Sequence, residues 1–228
     1  MKIAGWQKIS LVDYPGKVST VLFTSGCNWK CFYCHNYKMV TDKRNLVDES
    51  GIKNYIWERK LKLDAVVVSG GEPTLQSDLI NFLVWLRTVG LKIKLDTNGS
   101  NPEVIKNILH KKLVDYVAMD IKSGYKNYSE IVGAKIDFND IKKSIGLIME
   151  SEIDYEFRTT VFKNWVDLDD LKEIGKLIDG AKKYFLQNYV YRESIKDGKK
   201  ILSYSEEELK DMVKVLRSEF KFGEIGVR

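Results

Sequence analysis

Cysteine is scarce in this sequence: there are only three, all between positions 27 and 34. An odd number of thiols this close together argues against a framework of structural disulfides. With no cysteine elsewhere, any metal centre that is held by thiolates must lie in this segment. Whatever chemistry the cysteines perform must be performed by this one short segment.

Long apolar runs and clustered basic residues are absent as well. The longest purely aliphatic stretch, residues 65–68, is far too short to cross a bilayer, and no early segment resembles a secretion signal. The net charge is +5, but the lysines are spread along the chain, so no nucleic-acid-binding patch is indicated. We expect a cytoplasmic protein that binds neither membrane nor nucleic acid, and reduced thiols agree with that compartment.

The 228 residues, 44% of them hydrophobic, fit one domain spanning positions 1–228. Strand-like and helix-like segments alternate after a mostly polar start at 1–17 and are broken by a polar connection at 123–137, which we interpret as a binding loop. Strands are predicted at 18–24, 65–69, 92–96, 114–119, 155–161 and 184–187, and helices at 48–60, 77–89, 101–109, 138–150, 167–181 and from 205 onward.

Six such units predict an α/β fold, a partial (βα)6 TIM-like barrel with parallel strands and its active face at the carboxyl ends of the strands. The alternative is an open doubly wound sheet. In either fold, the loops that follow the strands should carry the chemistry. The cysteine segment follows the first predicted strand and therefore lies on that face.

The cysteines have the spacing C-x3-C-x2-C, which suits a soft metal ion or an iron–sulfur cluster. A cubane cluster usually takes four thiolates, so three would leave one iron open, as a catalytic metal site requires. The alternative is a structural zinc site completed by His35. That site is geometrically awkward, because adjacent Cys34 and His35 would have to turn onto one ion.

The motif Cys27-x3-Cys31-x2-Cys34, with Tyr33 before its last cysteine, resembles the cluster motif of radical S-adenosylmethionine (SAM) enzymes. The resemblance implies a [4Fe-4S] cluster on these three cysteines, with SAM chelating the open iron through its amino and carboxylate groups. The next strand ends in Gly70-Gly71-Glu72-Pro73, which could be only a tight turn. It also resembles the family's Gly-Gly-Glu element, which implies that its backbone and acid hold the amino group of SAM.

Three further strand ends carry candidate SAM contacts. Asp96-Thr97-Asn98-Gly99 could serve as a helix cap, but it resembles a segment of glycyl-radical-enzyme activases, which implies that Asp96 and Thr97 lie near the SAM carboxylate. Asp120 and Lys122 resemble the family's Asp-x-Lys element. Arg158 lies in otherwise apolar sequence, so its guanidinium needs a ligand or an acidic side chain as partner.

Residues 5–16, Gly-Trp-Gln-Lys-Ile-Ser-Leu-Val-Asp-Tyr-Pro-Gly, together with Cys34-His35-Asn36, resemble activating proteins of anaerobic ribonucleoside-triphosphate reductase. The resemblance covers nearly the whole chain and adds His35 and Asn36 to the cofactor site. Some activases carry a histidine on the sixth strand that contacts SAM. This chain has none there, which leaves Gln187 and Asn188 as substitutes.

By resemblance, the chain cleaves SAM and generates a glycyl radical on a partner enzyme, the anaerobic reductase, with electrons from a flavodoxin or ferredoxin-type donor. One alternative is a small radical SAM enzyme that acts on a free metabolite, like 7-carboxy-7-deazaguanine synthase, although the Gln-Gly-Glu-Gly opening of that group is missing. The other is a non-catalytic zinc or electron-transfer protein, which leaves the elements at 70–72 and 120–122 unexplained.

Overall fold

A computed structural model describes residues 1–37, 41, 46–191 and 201–228. Its framework is an eight-stranded sheet whose strands lie side by side in chain order. The strands are β1 Ile3–Ser10, β2 Ser19–Thr24, β3 Ala65–Gly70, β4 Lys92–Thr97, β5 Tyr116–Asp120, β6 Asp154–Val161, β7 Lys183–Asn188 and β8 Glu224–Val227. The helices in these ranges are α1 Glu49–Arg59, α2 Leu79–Val89, α3 Pro102–His110, α4 Tyr128–Val132, α5 Phe138–Met149, α6 Leu168–Leu177 and α7 Glu206–Glu219, with a 3-10 turn at Pro73–Leu75.

The strand order decides between the two predicted architectures. β1 is antiparallel to β2, and every later pair, from β2–β3 to β7–β8, is parallel. A doubly wound sheet reverses its strand order at a switch point, and this sheet does not. Crossovers of one hand then place the helices on one face, and the sheet curls around the other. The predicted partial barrel of parallel strands is confirmed.

The structure corrects the prediction at both edges of the sheet. Residues 3–10 lie in the start that was described only as mostly polar, but they form β1, and the predicted six strands omitted β8. β1 is covered on one side only, with residues 7–9 exposed, so its composition lacks the apolar pattern of a buried strand. β8 has four residues, which is too few for a period to show.

Helix boundaries follow their capping residues. The predicted capping box at Ser205 and Glu208 is present at the start of α7. A second box, Asp167 with Asp170, opens α6, which ends at Leu177 and not near 181 as predicted. The segment after it turns through Gly180, whose φ of +87° is in the left-handed region. No helix in the described ranges is both long enough and apolar enough to span a bilayer.

The two faces of the curled sheet differ in chemistry. Outward-facing residues such as Leu22, Val68 and Leu95 join the large core beneath the helices. The inward face begins with a small apolar cluster that includes Val67 and Tyr14, the latter from the loop after β1. Nearer the carboxyl ends of the strands, the inward residues become polar and charged. They are Ser69, Lys94, Asp96, Asp120, Glu156, Arg158 and Thr160.

Candidate active site

A cavity of about 800 Å³ lies at the carboxyl ends of the parallel strands, between their charged inner face and the cysteine loop. Apart from the two sixth-strand substitutes, it brings together all but one of the residues predicted for the site, although they come from five different strand ends. The predicted residues that line it are Cys27, Cys31, Tyr33, Cys34, His35, Asn36, Gly70, Gly71, Asp96, Thr97, Asp120, Lys122 and Arg158. The exception is Glu72.

The three thiols lie in the loop that follows β2, and all three are partly buried. The Trp29 amide donates to Cys27 Sγ over 3.4 Å, and the Cys34 amide donates to the Cys31 carbonyl over 3.1 Å. Burial raises the pKa of Cys27 to about 11 and that of Cys31 to about 12. Without metal these thiols are protonated at neutral pH, so metal binding must displace their protons.

The donor set of the cysteine loop is three thiols, which suits an iron–sulfur cluster with one open iron. In the described part of the chain, no three His, Cys, Asp or Glu side chains are grouped so that they could hold one metal ion. A mononuclear zinc site needs its ligands at about 2.0 to 2.3 Å from one point. A cluster takes each thiolate on a different iron, so its ligands need not converge.

The segment at 123–137 was predicted to be a binding loop, and that role stays a prediction. It contains α4, none of its residues lines the cavity, and Tyr128, Ile131 and Val132 are buried. The segment supports the cysteine loop: the Lys30 amide donates to the Val132 carbonyl over 2.8 Å, and the rings of Trp29 and Tyr128 meet edge to face. Although the segment at 123–137 is mostly polar in sequence, the apolar side of α4 packs under the cysteine loop.

Gly70 and Gly71 allow the end of β3 to pack closely against the cysteine loop. The Gly71 amide donates to the Thr24 carbonyl and the Glu72 amide to the Gly26 carbonyl, each over 2.9 Å. A β-carbon on Gly71 would overlap the Gly26 carbonyl, and one on Gly70 would overlap the Thr24 amide. The two glycines therefore allow close approach to the cysteine loop as well as lining the cavity.

Glu72 is fully buried, and its carboxylate does not reach the cavity. One oxygen accepts from Thr74 and from the Thr97 hydroxyl, and the other accepts from the Asn98 amide over 2.7 Å. Burial raises the pKa of this carboxyl, although the hydrogen bonds oppose that shift. The resemblance implied that the acid itself holds the amino group of SAM. The structure makes it a brace between the ends of β3 and β4.

Charged side chains form a row along the cavity wall. Arg158 Nε donates to Asp120 Oδ1 over 2.7 Å, Arg158 Nη2 lies 3.6 Å from Asp96 Oδ2, and Lys122 Nζ lies 3.1 Å from Asp120 Oδ2. Burial alone would raise the pKa of Asp120, but Arg158 and Lys122 hold it well below its usual range. The row therefore presents fixed charges of both signs, which suits a zwitterionic ligand.

Sequence reasoning missed two residues beneath this row. Lys94 is buried, and its Nζ lies 2.5 Å from the Asp13 carbonyl oxygen and 3.2 Å from Asp96 Oδ1. Asp13, from the loop after β1, lines the cavity. The alternation of β4 places Lys94 on the same face as Asp96, which is the signal that could have revealed it.

The predicted residues His35 and Tyr33 also line the cavity. His35 Nε2 is 2.8 Å from the Val190 carbonyl, which ties the cysteine loop to the chain after β7. Tyr33 is buried against Phe162, and its hydroxyl has no hydrogen-bond partner within the described ranges. Of the two sixth-strand substitutes, Gln187 lines the cavity.

The other substitute, Asn188, is absent from the cavity wall. Its side-chain amide donates to the Tyr204 carbonyl over 2.8 Å, and its side-chain oxygen accepts from the Tyr204 amide over 3.2 Å. Both polar ends of this side chain are thus engaged by the segment that leads into α7. Asn188 is a structural residue in this fold, and Gln187 alone remains a candidate for the sixth-strand contact.

Comparison with known proteins agrees with this site. The family model described as the Radical SAM superfamily matches residues 21–178, which include the cysteine loop and five of the parallel strands. The chain belongs to the radical SAM superfamily. It is an enzyme whose cofactors are a [4Fe-4S] cluster and SAM, and the three partly buried thiols beside a charged cavity fit both groups.

The similarity extends to a narrower family. Over 222 residues the chain is 36% identical to a putative glycyl-radical enzyme activating enzyme of Methanocaldococcus jannaschii, covering 94% of this chain and 91% of the relative. It therefore belongs with the glycyl-radical enzyme activating enzymes. A 7-carboxy-7-deazaguanine synthase of Archaeoglobus fulgidus is 28% identical over 177 residues, 73% of this chain and 69% of that one.

The fold recurs in a solved structure of low sequence identity. Streptococcus suis SuiB bound to S-adenosylmethionine matches with a TM-score of 0.70 at 15% identity, over 89% of this chain. The present chain spans 48% of the length of that structure.

Proposed function

We propose that this enzyme generates a glycyl radical on a partner protein, and that the partner is anaerobic ribonucleoside-triphosphate reductase. The observation that carries the proposal is the position of residues 5–16, the segment that resembles activating proteins of that reductase. This segment supplies Asp13 to the cavity, and Lys94 ties it to Asp96. The part of the sequence that points to this partner is therefore part of the active site. Similarity over 94% of the chain to a putative glycyl-radical enzyme activating enzyme supports the glycyl-radical part of the proposal.

The cluster and SAM, when bound, supply a reductive cleavage that gives methionine and a 5′-deoxyadenosyl radical. The protein must hold SAM in place and keep water out. We assign the cluster to the three cysteines and the amino group of SAM to the backbone at Gly70 and Gly71. Lys122 and Arg158, on the row of charges, would face the SAM carboxylate, and the buried ring of Tyr33 would close the apolar side.

We further propose that the chain works as a single domain in the cytoplasm and receives its electron from a flavodoxin or ferredoxin-type protein. The lysines are spread along the sequence, so no nucleic-acid or membrane partner is expected. Omitting each candidate donor from a turnover assay that otherwise contains all components would identify which one is required.

The test is to incubate anaerobically reconstituted, reduced enzyme with SAM and the reductase, and to record the electron paramagnetic resonance (EPR) spectrum. We expect a glycine-centred radical that depends on SAM, and faster release of 5′-deoxyadenosine than without the reductase. A Cys31→Ser enzyme and a reductase whose radical glycine is alanine should both give no signal. Stoichiometric conversion of a purine-like metabolite, with no radical on the reductase, would instead place the enzyme with the deazaguanine synthases.

A further inference from the structure

Arg158 is shared between three carboxylates. Its Nε is 2.7 Å from Asp120 Oδ1, its Nη2 is 3.6 Å from Asp96 Oδ2, and its Nη1 is 3.8 Å from Glu156 Oε1. Asp96 and Asp120 line the cavity, and Glu156 does not. The orientation of this guanidinium toward the site therefore depends on how strongly Glu156 competes for it.

Glu156 is a carboxylate with no solvent exposure on the inner face of β6. Its Oε2 accepts from the Tyr116 hydroxyl over 2.9 Å and from Arg228 Nη1 over 2.8 Å. Its Oε1 has no hydrogen-bond partner in the described part of the chain. One buried oxygen is thus satisfied by Arg228 and Tyr116, while the other lies open toward Arg158.

Arg228 reaches Glu156 from the far edge of the sheet. It directly follows β8, and its amide donates to the Leu186 carbonyl over 2.9 Å, which anchors it beside β7. Its guanidinium carbon lies 3.6 Å from the ring centroid of Phe185, so the cation is stacked on an aromatic face while it binds the carboxylate. The contact joins two charged groups 72 positions apart in the sequence.

We infer that Arg228 is a positioning residue for SAM binding. By neutralising Glu156, it leaves the Arg158 guanidinium to Asp120 and Asp96 at the cavity wall. A buried carboxylate that stays ionised needs a counter-ion, and Arg158 already lies 3.8 Å from the open oxygen. Without Arg228, the Arg158 guanidinium turns onto Glu156 and withdraws from Asp120, and the cavity loses a charge that faces the ligand.

The test compares Arg228→Met, Glu156→Gln and the double variant, since methionine keeps the apolar contact with Phe185 and glutamine removes the competing charge. SAM affinity is measured by titration of the reconstituted enzyme. We expect Arg228→Met to weaken it about tenfold or more, as for a lost charged hydrogen bond. Glu156→Gln and the double variant should bind SAM with an affinity within about threefold of the parent. In both variants position 156 is uncharged, so no carboxylate there competes for Arg158.

A second readout needs neither cluster nor SAM. In the apo protein, the Arg158 Nε–H resonance, assigned by its loss in Arg158→Lys, should exchange slowly while bonded to Asp120. It should broaden or shift in Arg228→Met and recover in the double variant. Arg87→Met, which breaks an arginine–carboxylate pair with Asp115 at the opposite end of the sheet, is the matched control and should change neither readout.

Two results would overturn the inference. The first is an Arg228→Met enzyme that binds SAM like the parent. The second is a double variant that stays as weak as the single one, which would mean that Arg228 acts on folding and not through Glu156. If Arg228→Met does not fold, the double variant must still fold and bind SAM. Because SAM binding is measured without a partner protein, the outcome does not depend on which glycyl enzyme is activated.

Discussion

Replacing Glu72 by glutamine separates two roles for this residue. As a SAM ligand, its loss would weaken SAM binding and leave the fold intact. As the brace seen here, its loss would destabilise the fold. Glutamine can still accept from Thr74 and Thr97 through its one oxygen. In the parent, the Asn98 amide donates to the second carboxylate oxygen over 2.7 Å, and the amide nitrogen of glutamine cannot accept that hydrogen bond. That N–H is left buried without a partner.

The magnitude follows from this one lost interaction. A hydrogen bond to a charged acceptor is worth about 1.5 to 3 kcal/mol. Burial already raises the pKa of the Glu72 carboxyl, so neutralising it also removes a desolvation cost. We therefore expect Glu72→Gln to lower the free energy of unfolding by about 1.5 kcal/mol, the lower end of this range. For a chain of this size, that loss lowers Tm by about 3 to 6 °C.

The assay is thermal unfolding of the apo protein, followed by SAM titration of the reconstituted variant. Glu58→Gln, an exposed acid on α1, is the matched control and should leave Tm unchanged. An unchanged Tm in Glu72→Gln together with a large loss of SAM affinity would refute the brace and restore the acid as a ligand.

Three further predictions concern the cysteine loop and the charged row. Gly71→Ala should prevent close packing on Gly26 and lower iron incorporation, measured as iron per chain after reconstitution. Asp120, whose pKa Arg158 and Lys122 depress, should stabilise the fold above its unfolded pKa of about 3.9 and lose that contribution as pH falls toward its folded pKa. Asp120→Asn should therefore flatten the acid side of the stability curve, and an unchanged curve would contradict the assignment. Replacing Cys27, Cys31 or Cys34 by serine should abolish cluster binding.

Sequence reasoning reached the parallel core of the fold because buried strands such as β3 have an apolar composition that few other elements share. It failed where an element is covered on one side only. β1 mixes exposed and half-buried residues, and α4 hides one apolar side in a polar connection. Such elements are stabilised by tertiary contacts that no local pattern records.

The site shows the same division. Residues that end parallel strands were predicted to meet, and the topology alone brings them together. The partners of each charge could not be predicted, because they are set by distant packing. The Glu72 carboxylate accepts hydrogen bonds from Thr97 and Asn98 and does not line the cavity. The Glu156 carboxylate is paired with Arg228, which lies 72 residues further along the chain.

The central claim is that three thiols hold one [4Fe-4S] cluster whose open iron meets SAM inside the barrel. Iron and sulfide analysis of the reconstituted enzyme, combined with EPR of the reduced cluster during SAM titration, tests it most directly. The account predicts about four irons and four sulfides per chain and a cluster spectrum that changes on addition of SAM. One zinc per chain, or a cluster spectrum that SAM leaves unchanged, would contradict it.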